Sequence, residues 1–220
     1  MRTSSRLLAC LLSAAALAAS PAARAADDTA IEDLPLLISS KDTGLTLSLR
    51  LAYAFPLGDY AGGVGLGDVY QGSIPLQLDV GWRLDDRWTV AAFFQYGFAW
   101  MGSNCPAGAD CSARDLRLGA EVLYRILPGA QWVPWVGLGA GYEWARATRS
   151  LGPTAVDVTS RGLELANVQL GADYQWGKSL SYGPYAAFTV GRFSTTTVGD
   201  LPDKALHHWL QLGLKGTFNL

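Results

Sequence analysis

Charge is scarce in this sequence. Only 16% of its 220 residues are Asp, Glu, Lys or Arg while 50% are hydrophobic, against roughly 25% charged in an average soluble domain. Clusters of Lys and Arg are missing and the formal net charge is −2. Nucleic-acid binding, whose affinity comes from clustered cations neutralising phosphates, is thereby excluded. Histidine occurs twice and cysteine three times, and no cofactor or metal site is read from them. Beyond residue 25 there is no run of about eighteen apolar residues, so transmembrane helices are excluded. What is abundant is Gly (25), Trp (8) and Tyr (9). That content of large apolar side chains rules out collagen, low complexity and disorder, and points to one compact domain.

Residues 1–25 read as a secretory signal peptide. Arg2 and Arg6 form the basic start, Leu7 to Ala19 the apolar stretch, and Ala23-Arg24-Ala25 the small-residue cleavage site, with cleavage expected after Ala25. The apolar stretch is shorter than the roughly twenty residues that span a bilayer as a helix. A lipoprotein reading of Leu7-Leu8-Ala9-Cys10 is weaker, because almost no apolar stretch precedes the cysteine. Removal of this segment takes away three Arg and no acid, which leaves 14 basic against 19 acidic residues, a net of −5. Of the cysteines, Cys105 and Cys111 remain. In an exported chain so close a pair is expected to form a disulfide, with free thiols or half of a metal site as the alternatives. Closing that loop contributes about 2 kcal/mol in the chain-entropy treatment.

The hydrophobicity is stored in alternation. Leu45, Leu47, Leu49, Leu51, Tyr53 and Phe55 alternate with Thr46, Ser48, Arg50, Ala52 and Ala54, a period of two that marks a strand with one apolar face. Seven further segments repeat the pattern, around 74–84, 88–100, 115–126, 135–144, 167–176, 184–191 and 209–218. Segments of about ten residues suit tilted strands crossing a bilayer, and an even number lets a sheet close. Connections alternate too: 85–87, 127–131 and 177–181 are tight, whereas 58–73, 101–113, 145–162 and 192–206 are long. Short periplasmic turns and long extracellular loops are the pattern of a transmembrane barrel. The expected fold is therefore all-β, a closed antiparallel up-and-down barrel of eight strands over residues 44–220. Residues 26–43 are expected to form a flexible periplasmic leader.

A soluble ligand-carrying barrel also has eight strands, so the distribution of charge decides. The polar faces carry Arg50, Arg83, Arg117, Arg125 and Lys215 against Asp79, Asp115, Glu121, Glu143 and Asp173. This balanced set is expected to form a lumen charge network in a narrow, dry interior where unpaired ions are costly. The charge-free apolar faces suit lipid. Two sets of outward aromatics support this: Trp82, Trp88, Tyr124, Trp132, Tyr174, Trp176, Tyr182 and Phe218 at the periplasmic end, and Tyr53, Phe55, Phe98, Trp100, Tyr142 and Trp144 at the outer end.

With these features the chain resembles the small eight-stranded outer-membrane barrels, similar to the OmpA transmembrane domain and OmpX-like proteins. The resemblance runs from Leu45 to Leu220. It is carried by the strand pattern, the Pro134-Trp135-Val136-Gly137-Leu138-Gly139-Ala140-Gly141-Tyr142 run, the Gly183-Pro184-Tyr185 strand start, and the closing segment Leu212 to Leu220. It implies outer-membrane localisation in a Gram-negative bacterium. It also implies contact with outer-membrane lipid and lipopolysaccharide, and recognition by the assembly machinery. Such barrels usually end on an aromatic residue; here Leu220 is last and Phe218 stands two before it. A periplasmic peptidoglycan-binding domain, present in longer members, has no room.

Few residues point to chemistry. A lipid A-modifying barrel needs a Ser beside a His; His207 and His208 lie near Ser194 in sequence but without a His-x-Ser spacing, and are expected to be interfacial polar residues. Asp85-Asp86 reads as turn chemistry. Gly58 to Gly72 lacks a phosphate-loop Lys and reads as a flexible outer loop. Arg146, Arg149 and Arg161, placed in a long loop, suit lipopolysaccharide phosphates or simple solvation. The expectation is a non-enzymatic outer-membrane protein with a lumen plugged by side chains, acting structurally or through surface contacts; the sequence does not fix its oligomeric state, with a monomer favoured. A narrow channel or conduit for small or apolar molecules is the alternative.

Overall fold

A computed structural model describes residues 43–101, 105, 108–151, 154–197, 199–201 and 204–220. The expected signal peptide with its Ala25 cleavage site, and the leader up to residue 42, lie outside the described residues. Eight long strands follow in order: β1 (Gly44–Ala61), β2 (Tyr70–Arg83), β3 (Trp88–Met101), β4 (Asp110–Arg125), β5 (Trp132–Leu151), β6 (Thr154–Trp176), β7 (Leu180–Thr196) and β8 (His207–Asn219). Each pairs antiparallel with its neighbours in sequence, and β8 pairs with β1 from Thr46↔Asn219 to Gly58↔His207, closing the sheet. No helix among the described residues is long and apolar enough to cross a membrane.

Alternation sets the two faces. Along β1 the odd-numbered residues Leu45 to Leu57 are exposed outward, while Thr46, Ser48, Arg50, Ala52 and Ala54 are buried inward. Leu49 is 54% exposed and Arg50 is 1% exposed. That inverts the ordinary arrangement of a water-soluble protein, in which charge lies outside.

The tight connections share one end of the barrel, tied together by backbone hydrogen bonds from Arg125 N to Arg87 O (2.9 Å), Gln175 N to Gln131 O (2.8 Å) and Asn219 N to Ser179 O (2.7 Å). In the first of them Asp85 Oδ1 accepts from the backbone N–H groups of Arg87 (2.8 Å) and Trp88 (2.7 Å). This is the side-chain-to-backbone turn expected of Asp85-Asp86, and these bonds hold the Asp85 carboxyl below the usual aspartate range.

The opposite, loop end differs from expectation in three places. The segment expected as a loop at 145–162 is mostly a hairpin extension of β5 and β6, paired out to Leu151↔Thr154. Its outward Thr148 and Asp157 are hydrogen-bonded at 2.5 Å, and Arg146 is ion-paired with the same carboxylate. Arg146, Arg149 and Arg161 are therefore strand residues. β7 likewise continues to Thr196, beyond its expected end. Finally, Gly58 to Gly72 is not a free loop. A two-residue strand at Val64–Gly65 pairs back on β1, a single helical turn α1 (Leu66–Val69) follows, and Leu66 and Tyr70 are buried. They pack with Ala54, Ala99, Ala113, Ala145, Phe193 and Trp209 in an apolar cluster across the loop end of the interior. Gly58 and Gly63, with φ of 78° and 80°, supply the left-handed backbone that lets the segment fold back. Cys105 and Cys111 form a disulfide beside the start of β4.

Candidate functional site

Buried charged side chains converge in the interior, so it is the candidate site. It is organised in layers along the barrel axis. In the middle layer Arg50 of β1 donates through Nε to Asp79 Oδ2 of β2 at 2.6 Å, and its other nitrogens reach Glu121 of β4 and Gln169 of β6. Gln77 donates to Asp79 Oδ1, and Gln169 Nε2 donates to Glu121 Oε2, both at 2.7 Å. Both carboxylates thus accept from amides as well as from the guanidinium. The guanidinium lies 5.8 Å from the Trp135 ring centroid and 5.5 Å from that of Tyr185. Paired and hydrogen-bonded in this way, charges are tolerated where water is excluded.

The layer toward the loop end is built on Arg117 of β4. Glu143 of β5 lies 3.2 Å away, and Asp115 of β4 and Glu164 of β6 each lie 3.5 Å away. Thr189 Oγ1 accepts from Arg117 at 3.2 Å, and Ser73 donates to Asp115 at 3.0 Å. His207 Nε2 lies 2.8 Å from Glu143 Oε2, and its ring stacks on Phe193 at 4.1 Å. Toward the tight turns, Lys215 of β8 reaches Asp173 of β6 at 3.2 Å, lies 4.1 Å above the Trp135 ring, and shares that carboxylate with Trp135 Nε1 at 2.8 Å. Arg83 is hydrogen-bonded to Asn219. Arg125 is half-buried near this end. A polar cavity of about 30 Å³ lies among Arg83, Arg125, Asp173 and Lys215, room for about two water molecules.

All ten residues named from the sequence thus face or border the interior, joined by two that were not among them. Glu164 is buried because a bulge between Glu164 and Ala166 shifts the register, so inward residues Glu164 and Asn167 stand three apart in place of two. Strict alternation counted back from Asn167 places Glu164 outside. His207 corrects the reading of both histidines as interfacial: it is 1% exposed and inside, whereas His208 is half-buried and stacks on Phe188 at 5.4 Å. The signal for His207 was present, since it continues the inward parity of Trp209 and Gln211; the strand simply starts two residues earlier. Ser194 donates to the Arg161 carbonyl, and His207 is engaged with Glu143. The two do not form a nucleophile–base pair. Among the described residues no cluster of His, Cys, Asp and Glu has the geometry of a metal site.

The outward surface carries the two aromatic sets. At the turn end Trp88 and Tyr124 are 4.7 Å apart, Trp132 and Tyr174 5.3 Å, and Trp176 and Tyr182 5.8 Å. At the loop end Tyr53 meets Phe55 at 4.6 Å and Trp100 at 6.5 Å, and Tyr142 meets Trp144 at 4.6 Å. Between them the exposed side chains are aliphatic or aromatic.

No protein-family profile and no curated protein matches the sequence. Solved structures do match in fold. Neisserial surface protein A is 17% identical, with a TM-score of 0.50 over 79% of this chain and 96% of that one. Ail, the attachment invasion locus protein of Yersinia pestis, is 14% identical, with a TM-score of 0.49 over 80% and 99%. The architecture is that of the small eight-stranded outer-membrane barrels, as the resemblance to the OmpA transmembrane domain implied.

Proposed function

We propose that this chain is an integral outer-membrane β-barrel protein of a Gram-negative bacterium, with a lumen plugged by its own side chains and a structural or surface-interaction role. One observation carries this reading: the polarity of the barrel is inverted, with an uncharged apolar band outside and buried arginines held by carboxylates within. Water would not favour that band; hydrocarbon does. The tight turns then face the periplasm and the β5–β6 hairpin, the disulfide segment and the α1 cap face outward. Residues 1–25 direct export and residues 26–43 precede the barrel. Its contacts are outer-membrane lipid, lipopolysaccharide and the assembly machinery, the last reading the strand that ends near Phe218. No catalytic role is assigned.

The plug follows from size and filling. An eight-stranded barrel encloses about the space its side chains occupy. Here the Arg50 and Arg117 layers, Trp135 and the apolar cluster around Leu66 and Tyr70 succeed one another along the axis. Outer-membrane fractionation with heat-modifiable gel migration tests the membrane placement; extraction without detergent would overturn it. Planar-bilayer recording tests the plug. No stable conductance is expected, and reproducible steps would overturn the plug in favour of a narrow channel.

A further inference from the structure

The layers of the interior do not balance one by one. In the middle layer two carboxylates, Asp79 and Glu121, meet one guanidinium, Arg50, and in the loop-side layer Asp115, Glu143 and Glu164 meet Arg117. The chamber at the turn end has the opposite sign. Its lining holds Arg83, Arg125 and Lys215 against a single carboxylate, Asp173. That carboxylate is already engaged, by Lys215 at 3.2 Å and by the Trp135 indole N–H at 2.8 Å. Arg83 is hydrogen-bonded to Asn219.

Arg125 is left over. It is half-buried, and its Nη1 is enclosed without a hydrogen-bond partner among the described residues. Asp173 and Asp86 act on it through space, but neither forms an ion pair with it. A cation drawn out of water in this way is costly unless an anion completes it. Strand order sets other donors around the same space. Arg125 on β4 and Lys215 on β8 stand on opposite sides of the ring of eight strands, and the hydroxyls of Thr46, Thr89 and Ser181, all buried, line the chamber between them. A hydroxyl rotates to donate where an acceptor lies. The cavity of about 30 Å³ has room for about two water-sized atoms. That matches the two oxygens of a carboxylate and is too small for the tetrahedral body of phosphate or sulfate.

We propose that the turn-end chamber is a binding site for a small carboxylate anion, of formate or acetate size, seated between the Arg125 guanidinium and Lys215. The planar guanidinium fork matches the carboxylate oxygens, and the surrounding hydroxyls donate to their remaining lone pairs. Trp135 stands between this chamber and the middle layer, its ring 4.1 Å from Lys215 Nζ and 5.8 Å from the Arg50 guanidinium. The anion therefore enters and leaves by the turn end and does not cross the barrel. The site belongs to the folded interior, and neither the membrane placement nor the absence of conductance is needed for it.

The test uses the full mature chain folded in detergent micelles, with carbon-13 formate as the probe and the broadening of its NMR line as the measure of binding. At constant ionic strength the broadening should saturate with formate, be relieved by acetate, and be indifferent to inorganic phosphate. Arg125→Gln, checked for folding by heat-modifiable migration, should weaken formate binding by about tenfold. Arg87→Gln, which removes a cation from the exposed turn, should leave it unchanged. Without formate, Arg125→Gln should resist urea at least as well as the parent, because it removes an uncompensated charge; an arginine with a merely structural role would show a loss. Broadening that does not saturate, or that phosphate relieves as well as acetate does, would overturn the proposal on the parent protein alone, even if the variant failed to fold. Undiminished binding by the folded Arg125→Gln variant would overturn it as well.

Discussion

His207 Nε2 lies 2.8 Å from Glu143 Oε2, joining the last strand to the fifth across the interior, with both side chains almost wholly removed from solvent. The carboxylate on which it rests is also held by Arg117 at 3.2 Å. The contact therefore ties the closing strand to the ion cluster of the loop-side layer. It exists only because Gly191, directly opposite His207 on β7, leaves room for the imidazole.

A side chain at position 191 should disrupt that arrangement. A Cβ there would lie 2.5 Å from His207 Nε2, so Gly191→Val must displace the ring from Glu143. Overpacking of this kind costs about 1–3 kcal/mol. Urea unfolding in detergent micelles should show that loss, and combining Gly191→Val with His207→Ala should cost less than the sum of the two changes. Strict additivity would mean that the ring is not what the new side chain displaces.

Removing the cation from the middle layer should be more damaging. Arg50→Met leaves Asp79 and Glu121 buried without their shared guanidinium, and loss of one partner from a buried ion pair typically costs about 3–5 kcal/mol. The variant Arg50→Met/Asp79→Asn/Glu121→Gln, which removes the stranded charge, should recover a large part of that loss in the same unfolding measurement. No recovery would show that the cost comes from packing against Trp135 and Tyr185.

The disulfide joins cysteines six residues apart beside the start of β4. Cys105→Ser/Cys111→Ser should still fold and migrate as a heat-modifiable barrel, with a stability loss of no more than about 2 kcal/mol. Thiol alkylation after reduction should label both cysteines of the parent and neither position of the variant, with the barrel's migration unchanged. A barrel that fails to form would place the disulfide on the folding route itself.

At the other end, Asp85 provides a pH dependence with a definite sign. Its carboxylate is stabilised by the backbone N–H groups of Trp88 and Arg87, so its pKa is lowered in the folded state. The stabilisation is present above the unfolded value of about 3.9 and is lost as pH falls through the lower folded value. Carboxyl-carbon NMR should show Asp85 titrating below its own unfolded-peptide reference, and Asp85→Asn should remove this acid-dependent part of the stability. A titration at or above the reference would contradict the turn geometry.

Local sequence carried most of the architecture. Alternation from Leu45 to Phe55 tells which atoms of β1 face outward, because in a strand parity is orientation, and the same rule placed both aromatic sets and ten charged interior residues. It failed where parity breaks: the bulge before Ala166 turned Glu164 inward. It also failed where a strand outruns its apolar run, as β5 and β6 do beyond Trp144 and before Leu163. The α1 cap was not legible, since burial of Leu66 and Tyr70 depends on Phe193 and Trp209, which lie over 120 residues away.

A closed sheet with an apolar outside and a scarce, nearly balanced set of charges inside follows from the order of residues alone, because period and parity are local properties. Which charges meet is settled by the closed fold. Arg50 reaches Gln169 across 119 residues and Arg117 reaches Thr189 across 72. Those meetings depend on strand register around the closed ring, which no single segment encodes. The same is true of His207, which meets Glu143 across 64 residues.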